Sequence, residues 1–86
     1  MTGSIASFDV SQCLTAAGHT DAVYRSSWTP GYRAQQDSQR TVYVWHDGPD
    51  EQQHLDQYAQ TLRDAGYAVT LVRPVDERLC LCIRRL

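Results

Sequence analysis

Apolar and polar positions follow a helical period between residues 50 and 65. The apolar side chains recur three or four positions apart, at Leu55, Tyr58, Ala59, Leu62 and Ala65. This spacing predicts an α-helix with one buried stripe. Pro49 suits the first helical position, so Asp47 or Gly48 is expected at the N-cap. Gly66 suits the left-handed residue that commonly ends a helix.

Segments rich in β-branched and aromatic residues flank this helix at 41–45 and 67–72, and both predict strands. Two strands joined through a helix fit a right-handed βαβ crossover, which makes them parallel. A further strand is predicted at 78–84, antiparallel to its predecessor. Its alternating residues would point to opposite faces, with Leu79, Leu81 and Ile83 on one face and Cys80, Cys82 and Arg84 on the other.

The N-terminal half has weaker signals. Residues 1–7 are small and polar and are expected to be disordered. Asp9 and the Gln three residues later form a capping-box pattern, which predicts the start of a short helix that Gly18 ends. Residues 22–28 predict a strand, whereas 29–40 fit either an ordered hairpin tip or a loop.

These elements predict an α+β fold, with a single domain over residues 1–86. The expected architecture is a two-layer α/β sandwich in the order α-β-β-α-β-β. This architecture would contain one four-stranded mixed sheet with two helices on one face.

Composition narrows the class of protein without identifying a function. The chain has 86 residues and a net charge of −2, which gives no overall attraction to nucleic acid. It has no apolar run long enough for a membrane span and no secretory pattern. Three cysteines without a secretory context indicate reduced thiols, and therefore a cytoplasmic protein. All eight basic residues are arginine and asparagine is absent, which we interpret as the trace of a high-GC, bacterial genome.

Acidic residues concentrate on the predicted second helix. Residues 46–66 contain five carboxylates and a single arginine. The helical period places an acidic and polar set on the outward side, formed by Asp50, Gln53, Asp56, Gln60 and Asp64. This acidic helix face is one candidate surface for binding another protein.

A second candidate surface interleaves aromatic rings with guanidinium groups between residues 24 and 40. Its members are Arg25, Trp28, Tyr32, Arg33 and Arg40. Such residues are enriched at protein interfaces. The same set can stack on bases and hold phosphates, so a nucleic-acid-binding protein is an alternative.

A third alternative is a metal or small-ligand binder. Cys80 and Cys82 lie two apart on a strand, so both thiols face one side, and His46 and His54 are the available further ligands. A soft metal needs such a set of four. However, Cys-x-Cys lacks the usual two-residue spacer, and two small hydrophobic residues on a strand explain the pair as well. We therefore expect neither a metal nor another cofactor.

No catalytic motif accompanies these residues. The sequence contains no phosphate-binding loop, dinucleotide fingerprint, H-E-x-x-H or G-x-S-x-G pattern, so we do not predict an enzyme. The leading hypothesis is a small non-enzymatic protein-interaction module with an accessory or regulatory role. We expect it to come from a phage or mobile element of a high-GC bacterium. A homodimer through the open face or an edge strand of the sheet is also an expectation, and binding to a membrane is not.

Overall fold

The computed structural model describes residues 3–22, 29–73 and 78–85, in which two helices and a four-stranded sheet are found. In chain order the elements are α1 (Ser7–Ala16), β1 (Gly31–Ser38), β2 (Thr41–Asp47), α2 (Glu51–Asp64), β3 (Tyr67–Val72) and β4 (Cys80–Arg85). The α+β class is confirmed. The first strand, β1, lies later in the chain than the predicted strand at 22–28, of which residues 23–28 lie outside the described residues.

The sheet has the strand order β1-β2-β4-β3, and every neighbouring pair is antiparallel. The predicted mixed sheet is therefore wrong. Strands β2 and β3 do run in the same direction, as the crossover through α2 requires, but β4 lies between them and pairs with both. This is a split βαβ unit. A strand–helix–strand pattern fixes the relative direction of two strands but does not make them neighbours.

Both helices pack on one face of the sheet. Alternation along the two central strands points Val42 and Val44 of β2, with Leu81 and Ile83 of β4, toward the helices. These side chains join the apolar stripe of α2 and the inner residues of α1 in one buried cluster. The helical members of that cluster are Val10, Leu14, Leu55, Tyr58, Ala59 and Leu62.

The observed C-terminal end of α2 agrees with the prediction from the sequence, and the N-terminal end differs from it. Gly66 follows the helix with φ 97°, which confirms the predicted left-handed residue. At the N-terminus, Asp50 is the N-cap, with φ 59° and no side-chain capping bond. The predicted caps at Asp47 and Gly48 are therefore wrong, because the carboxylate of Asp47 is bound by arginine side chains instead of the helix start.

The capping box predicted for α1 is also wrong. The helix begins at Ser7, with Ala6 as an N-cap that makes no side-chain bond, so Asp9 lies in the first turn. The predicted end at Gly18 is confirmed, because this residue has φ 96°. The amide of His19 donates to the carbonyl of Leu14 at 3.0 Å, which is the pattern of a Schellman motif.

Two flanking segments lie against the β1–β2 hairpin. The segment 20–22 runs parallel to β1, where the Tyr32 amide donates to the Thr20 carbonyl and the Ala22 amide donates to the Tyr32 carbonyl, both at 2.8 Å. Ile5 is buried, and its amide donates to the Gln39 carbonyl at 2.8 Å. Residues 3–7 are thus tied to the hairpin, whereas residues 1 and 2 of the segment expected to be disordered lie outside the described residues. Within 29–40, residues 31–38 form the first strand of this hairpin.

We predict that Gly31→Ala destabilises the fold. A Cβ at this position would lie 2.1 Å from the Thr20 carbonyl oxygen, so the 20–22 segment must move away from β1. Overpacking of this kind costs about 1–3 kcal/mol of the free energy of unfolding, measurable by urea denaturation. Gly18→Ala is the control, because a Cβ there meets nothing within 4 Å and only the left-handed backbone opposes it. If Gly31→Ala were no less stable than the native chain, the 20–22 segment would not lie along β1.

Candidate functional site

A pocket of about 270 Å³ lies where the turn after α1, the start of β1 and the N-terminal half of α2 meet. Three histidines and a tyrosine form most of its polar wall: His19, His46, His54 and Tyr58. The proximity of these four residues was not predicted. His46 follows Val42 and Val44 on the helix-facing side of β2, so strand alternation indicates that it is buried, and Tyr58 belongs to the predicted stripe of α2. No sequence signal places His19 beside them.

His46 is 2% exposed and both of its ring nitrogens are hydrogen-bonded. Its Nε2 lies 3.0 Å from the carbonyl oxygen of Pro49, which can only accept, so Nε2 carries the proton. In the neutral ring, Nδ1 then accepts from the Tyr58 hydroxyl at 2.7 Å. These two bonds select one tautomer of His46 and join β2 to the chain just before α2.

The other two histidines surround this pair. The His54 ring stacks on His46 with centroids 4.0 Å apart and planes 7° apart. The His19 ring meets Tyr58 edge-on at 4.9 Å, and its Nε2 lies 3.0 Å from the hydroxyl of Thr61. One histidine comes from each of three segments, so the pocket exists only when α1, β2 and α2 are assembled.

His46 and His19 resist protonation. Burial and then the neighbouring His54 hold the pKa of His46 below its usual value, although the bond to Pro49 partly offsets this effect. Burial and then His54 lower the pKa of His19 as well. Burial raises the pKa of Tyr58 to about 12. Neutral rings at His46 and His19 and a phenol that keeps its proton suit packing better than proton transfer at neutral pH.

An ion-pair network borders the pocket. Arg78 pairs with Asp47 at 2.9 Å and with Glu51 at 3.0 Å, and it donates to the His46 carbonyl. Arg33 pairs with Asp47 at 3.2 Å. Burial alone would raise the pKa of Asp47, but the hydrogen bond from Arg78 and the charge of Arg33 lower it below its usual value. The Asp47 carboxylate therefore stabilises the fold until the pH falls below the usual aspartate pKa of about 3.9.

The face of the sheet opposite the helices, called the outer face here, carries an aromatic pair at its centre. The rings of Tyr43 and Trp45 on β2 lie 5.8 Å apart at 61°. In register, Arg33 and Gln35 of β1 lie beside Trp45 and Tyr43, and Cys82 of β4 lies on the other side of Tyr43. Further members of the outer face are Ala68, Thr70 and Val72 of β3 and Cys80 and Arg84 of β4.

The four residues considered as metal ligands are not brought together. Cys80 and Cys82 belong to the outer face, whereas His46 and His54 lie under α2, so the sheet separates the thiols from the imidazoles. Residues 3–22, 29–73 and 78–85 contain no group of three or more side chains suited to hold a metal ion. The stacked rings of His46 and His54 cannot both point a nitrogen at one ion.

The aromatic and arginine residues of the predicted hairpin surface are dispersed. Tyr32 is 1% exposed and faces the helices, where its hydroxyl lies 2.6 Å from those of Ser11 and Thr15. Arg33 lies on the outer face, and Arg40 lies in the β1–β2 turn at the far end of the same strand. Trp28 and Arg25 lie outside the described residues.

The acidic helix face is present on α2 and at its N-cap. Asp50, Asp56 and Gln60 are exposed, as are Gln53 and Asp64. Gln60 donates to Asp64 at 2.8 Å, a bond between side chains one helical turn apart. This surface therefore remains available to a partner.

We predict that the protein loses stability as the pH falls from about 7 to 5. The pKa values of His46 and His19 are lower in the folded state than the unfolded value of about 6.5, so the unfolded chain takes up protons first. The stability is full above that value and decreases below it. The loss is at most about 1.4 kcal/mol per pH unit for each histidine kept neutral, measurable by urea denaturation across this range.

His54→Gln should reduce the dependence of stability on pH. The substitution removes the nearby imidazole that opposes protonation of His19 and His46. A stability that stays constant between pH 7 and 5 would contradict the lowered pKa values of His46 and His19.

We also predict that Tyr58→Phe destabilises the protein by about 1–3 kcal/mol, because Nδ1 of the buried His46 loses its donor. Thermal or urea denaturation at neutral pH measures the change. Tyr43→Phe is the matched control, since its ring lies on the outer face and is half-buried. Equal stability of the two variants would show that the bond between Tyr58 and His46 contributes nothing.

Comparison of the chain with known proteins finds no relative. No family model matches the sequence, and neither a curated protein nor a solved structure matches it. Neither helix of the described residues is long and apolar enough to cross a membrane. The function is therefore inferred from the residues and geometry of this chain.

Proposed function

We propose that the chain is a small non-enzymatic protein-interaction module and that the outer face of its sheet binds the partner. The observation that supports this most is the pair of Tyr43 and Trp45 rings on a central strand, on the side away from both helices. Tryptophan, tyrosine and arginine are the residues that most often dominate the binding energy of protein interfaces.

The layout of the outer face resembles that of an interface centre with a polar border. The aromatic pair lies in the middle of the sheet, and both rings are half-buried by their neighbours. Arg33 and Gln35 lie on one side of the pair; on the other side Cys82 lies beside Tyr43, with Thr70 and Arg84 farther out. Binding energy concentrates at such a centre, while the border excludes water.

The acidic helix face supports the same proposal as a second contact region. Its exposed carboxylates could attract a basic partner and raise the association rate. Cys13, Cys80 and Cys82 are not joined in disulfides, which suits a reducing compartment and supports a cytoplasmic location for the module. The arginine-only basic composition supports an accessory protein of a high-GC bacterium or one of its mobile elements.

A single-stranded nucleic acid is the second candidate partner, and the same aromatic pair favours it. Rings displayed on a sheet can stack on bases, and Arg33 and Arg84 could contact phosphates. Against this, Arg33 is already paired with Asp47, and the chain has a net charge of −2. Counterion release would therefore be small, and a protein partner is the better supported of the two.

We predict that Trp45→Ala abolishes partner binding while the fold is retained. A photo-crosslinking residue at Gln35, beside Tyr43, should capture a discrete partner protein in extracts of the source cells. The yield should fall at least about tenfold with Trp45→Ala, as for an interface hot spot. Phe8→Ala is the matched control, because Phe8 is 67% exposed but lies on α1.

Two further measurements separate the alternatives. Light scattering shows whether the captured partner is a second copy of the chain. Titration with labelled single-stranded RNA and DNA at low salt tests the nucleic-acid candidate. Equal capture by the Trp45→Ala and Phe8→Ala variants would remove the outer face from the proposal.

A further inference from the structure

The two edges of the sheet are protected to different degrees. Along β1, the 20–22 segment occupies part of the edge through two main-chain hydrogen bonds of 2.8 Å. Along β3, the edge contact is a side chain, because the Arg63 guanidinium donates to the Val69 carbonyl at 3.0 Å. That bond shows that the main-chain groups of Val69, and those of Leu71 two residues later, face away from β4.

Strand β3 also lacks the features that usually prevent edge pairing. Its sequence from Tyr67 to Val72 contains no charged residue and no proline. Its register with β4 is continuous across all six pairs, without a bulge. Leu71 is 43% exposed. A regular, apolar edge of this kind is a template for another strand.

Positive charge surrounds this edge although the chain as a whole is acidic. Arg63 lies at the end of α2, Arg73 follows β3, and Arg84 and Arg85 are paired with Ala68 and Tyr67. The Arg85 guanidinium also donates to the Ser4 carbonyl at 2.6 Å and lies over the Tyr67 ring. Within residues 3–22, 29–73 and 78–85, no carboxylate forms a salt bridge with any of these four arginines. Asp64, next to Arg63, is bound by Gln60.

We propose that the edge of β3 takes up an extended acidic segment of a partner protein as a fifth strand of the sheet. The segment would pair with the outward main-chain groups of Val69 and Leu71, as in other cases of strand addition. In an alternating segment, the carboxylates would lie on the helix side of the sheet and meet Arg63. The apolar side chains would lie on the outer side, beside Ala68 and Val72.

Arg63 makes this edge selective for acidic segments. A new strand must displace the Arg63 guanidinium, since the added amide takes its place on the Val69 carbonyl. An acidic segment gives the released guanidinium a carboxylate, and a bond between two charged groups is stronger than the bond to a neutral carbonyl that it replaces. A neutral segment leaves it without a protein partner, and a basic segment repels it. A second copy of this chain would bring the same four arginines together and is disfavoured for that reason.

This inference rests on the proposed role as a protein-interaction module but uses a surface separate from the outer face. The probe is a synthetic octapeptide that alternates valine and glutamate. In ¹⁵N-labelled protein, binding should shift the amide signals of β3 and slow the hydrogen exchange of Val69 and Leu71. Arg63→Gln should weaken binding by about tenfold, whereas Arg40→Gln, the same change at the far turn, should not alter it.

Two control peptides test the mechanism. Replacing glutamate by lysine should abolish binding, and methylating the alternate backbone nitrogens that face β3 should abolish it while keeping the charge. The proposal would be overturned if the lysine peptide or the N-methylated peptide bound as well as the valine–glutamate peptide. It would also be overturned if the changes in amide signals were confined to β1 or to Tyr43 and Trp45. Slow exchange of Val69 and Leu71 without peptide, in a sample that scatters as a dimer, would overturn it in favour of self-association.

The outer-face variant separates this inference from the proposed function. Trp45→Ala should leave peptide binding intact. If the peptide fails to bind while crosslinking at the outer face still depends on Trp45, only the edge proposal is wrong. If the peptide binds and the outer face captures nothing, the edge is the interaction surface of the module.

Discussion

The apolar stripe of α2 packs across the two central strands, and the other features of the molecule follow from this contact. Leu55, Tyr58 and Leu62 are buried against Val42, Val44, Leu81 and Ile83. Burying a side chain of this size stabilises the fold by about 1.5–3 kcal/mol. The same contact brings the Tyr58 hydroxyl to His46 and leaves the aromatic pair on the opposite side of the sheet. It also sets the end of α2, with Arg63, over the edge of β3.

The sequence predicted elements better than their arrangement. The hydrophobic period and the terminal glycine were sufficient to predict α2. The alternation of side chains was sufficient to predict the β3–β4 hairpin. Both signals are local in the sequence. The position of β4 between β2 and β3 depends on pairing between residues about 40 apart, which no local signal encodes. Tyr32 and Arg33 show a second limit. Interleaved aromatic and basic residues suggested one shared surface, but in a strand successive side chains point to opposite faces.

The histidine cluster could be predicted only in part. Alternation along β2 places His46 inside, and the α2 period places His54 at the border of the stripe, so their proximity follows once β2 and α2 are packed together. His19 joins them through the turn that ends α1, which depends on how the two helices meet. Asp47 was misassigned for a similar reason. Its cap pattern is local, but its partner Arg78 is 31 residues away, and that ion pair outcompetes the helix terminus.

The insertion of β4 has a consequence for synthesis. The strand that completes the middle of the sheet is the last of the six elements to be translated. Until it leaves the ribosome, β2 and β3 have nothing between them, and the inner side chains of β2 lack their neighbours on β4. The nascent chain can therefore form α2 early but cannot close its core until β4 has been synthesised, and a high proportion of the contacts that then form are long-range.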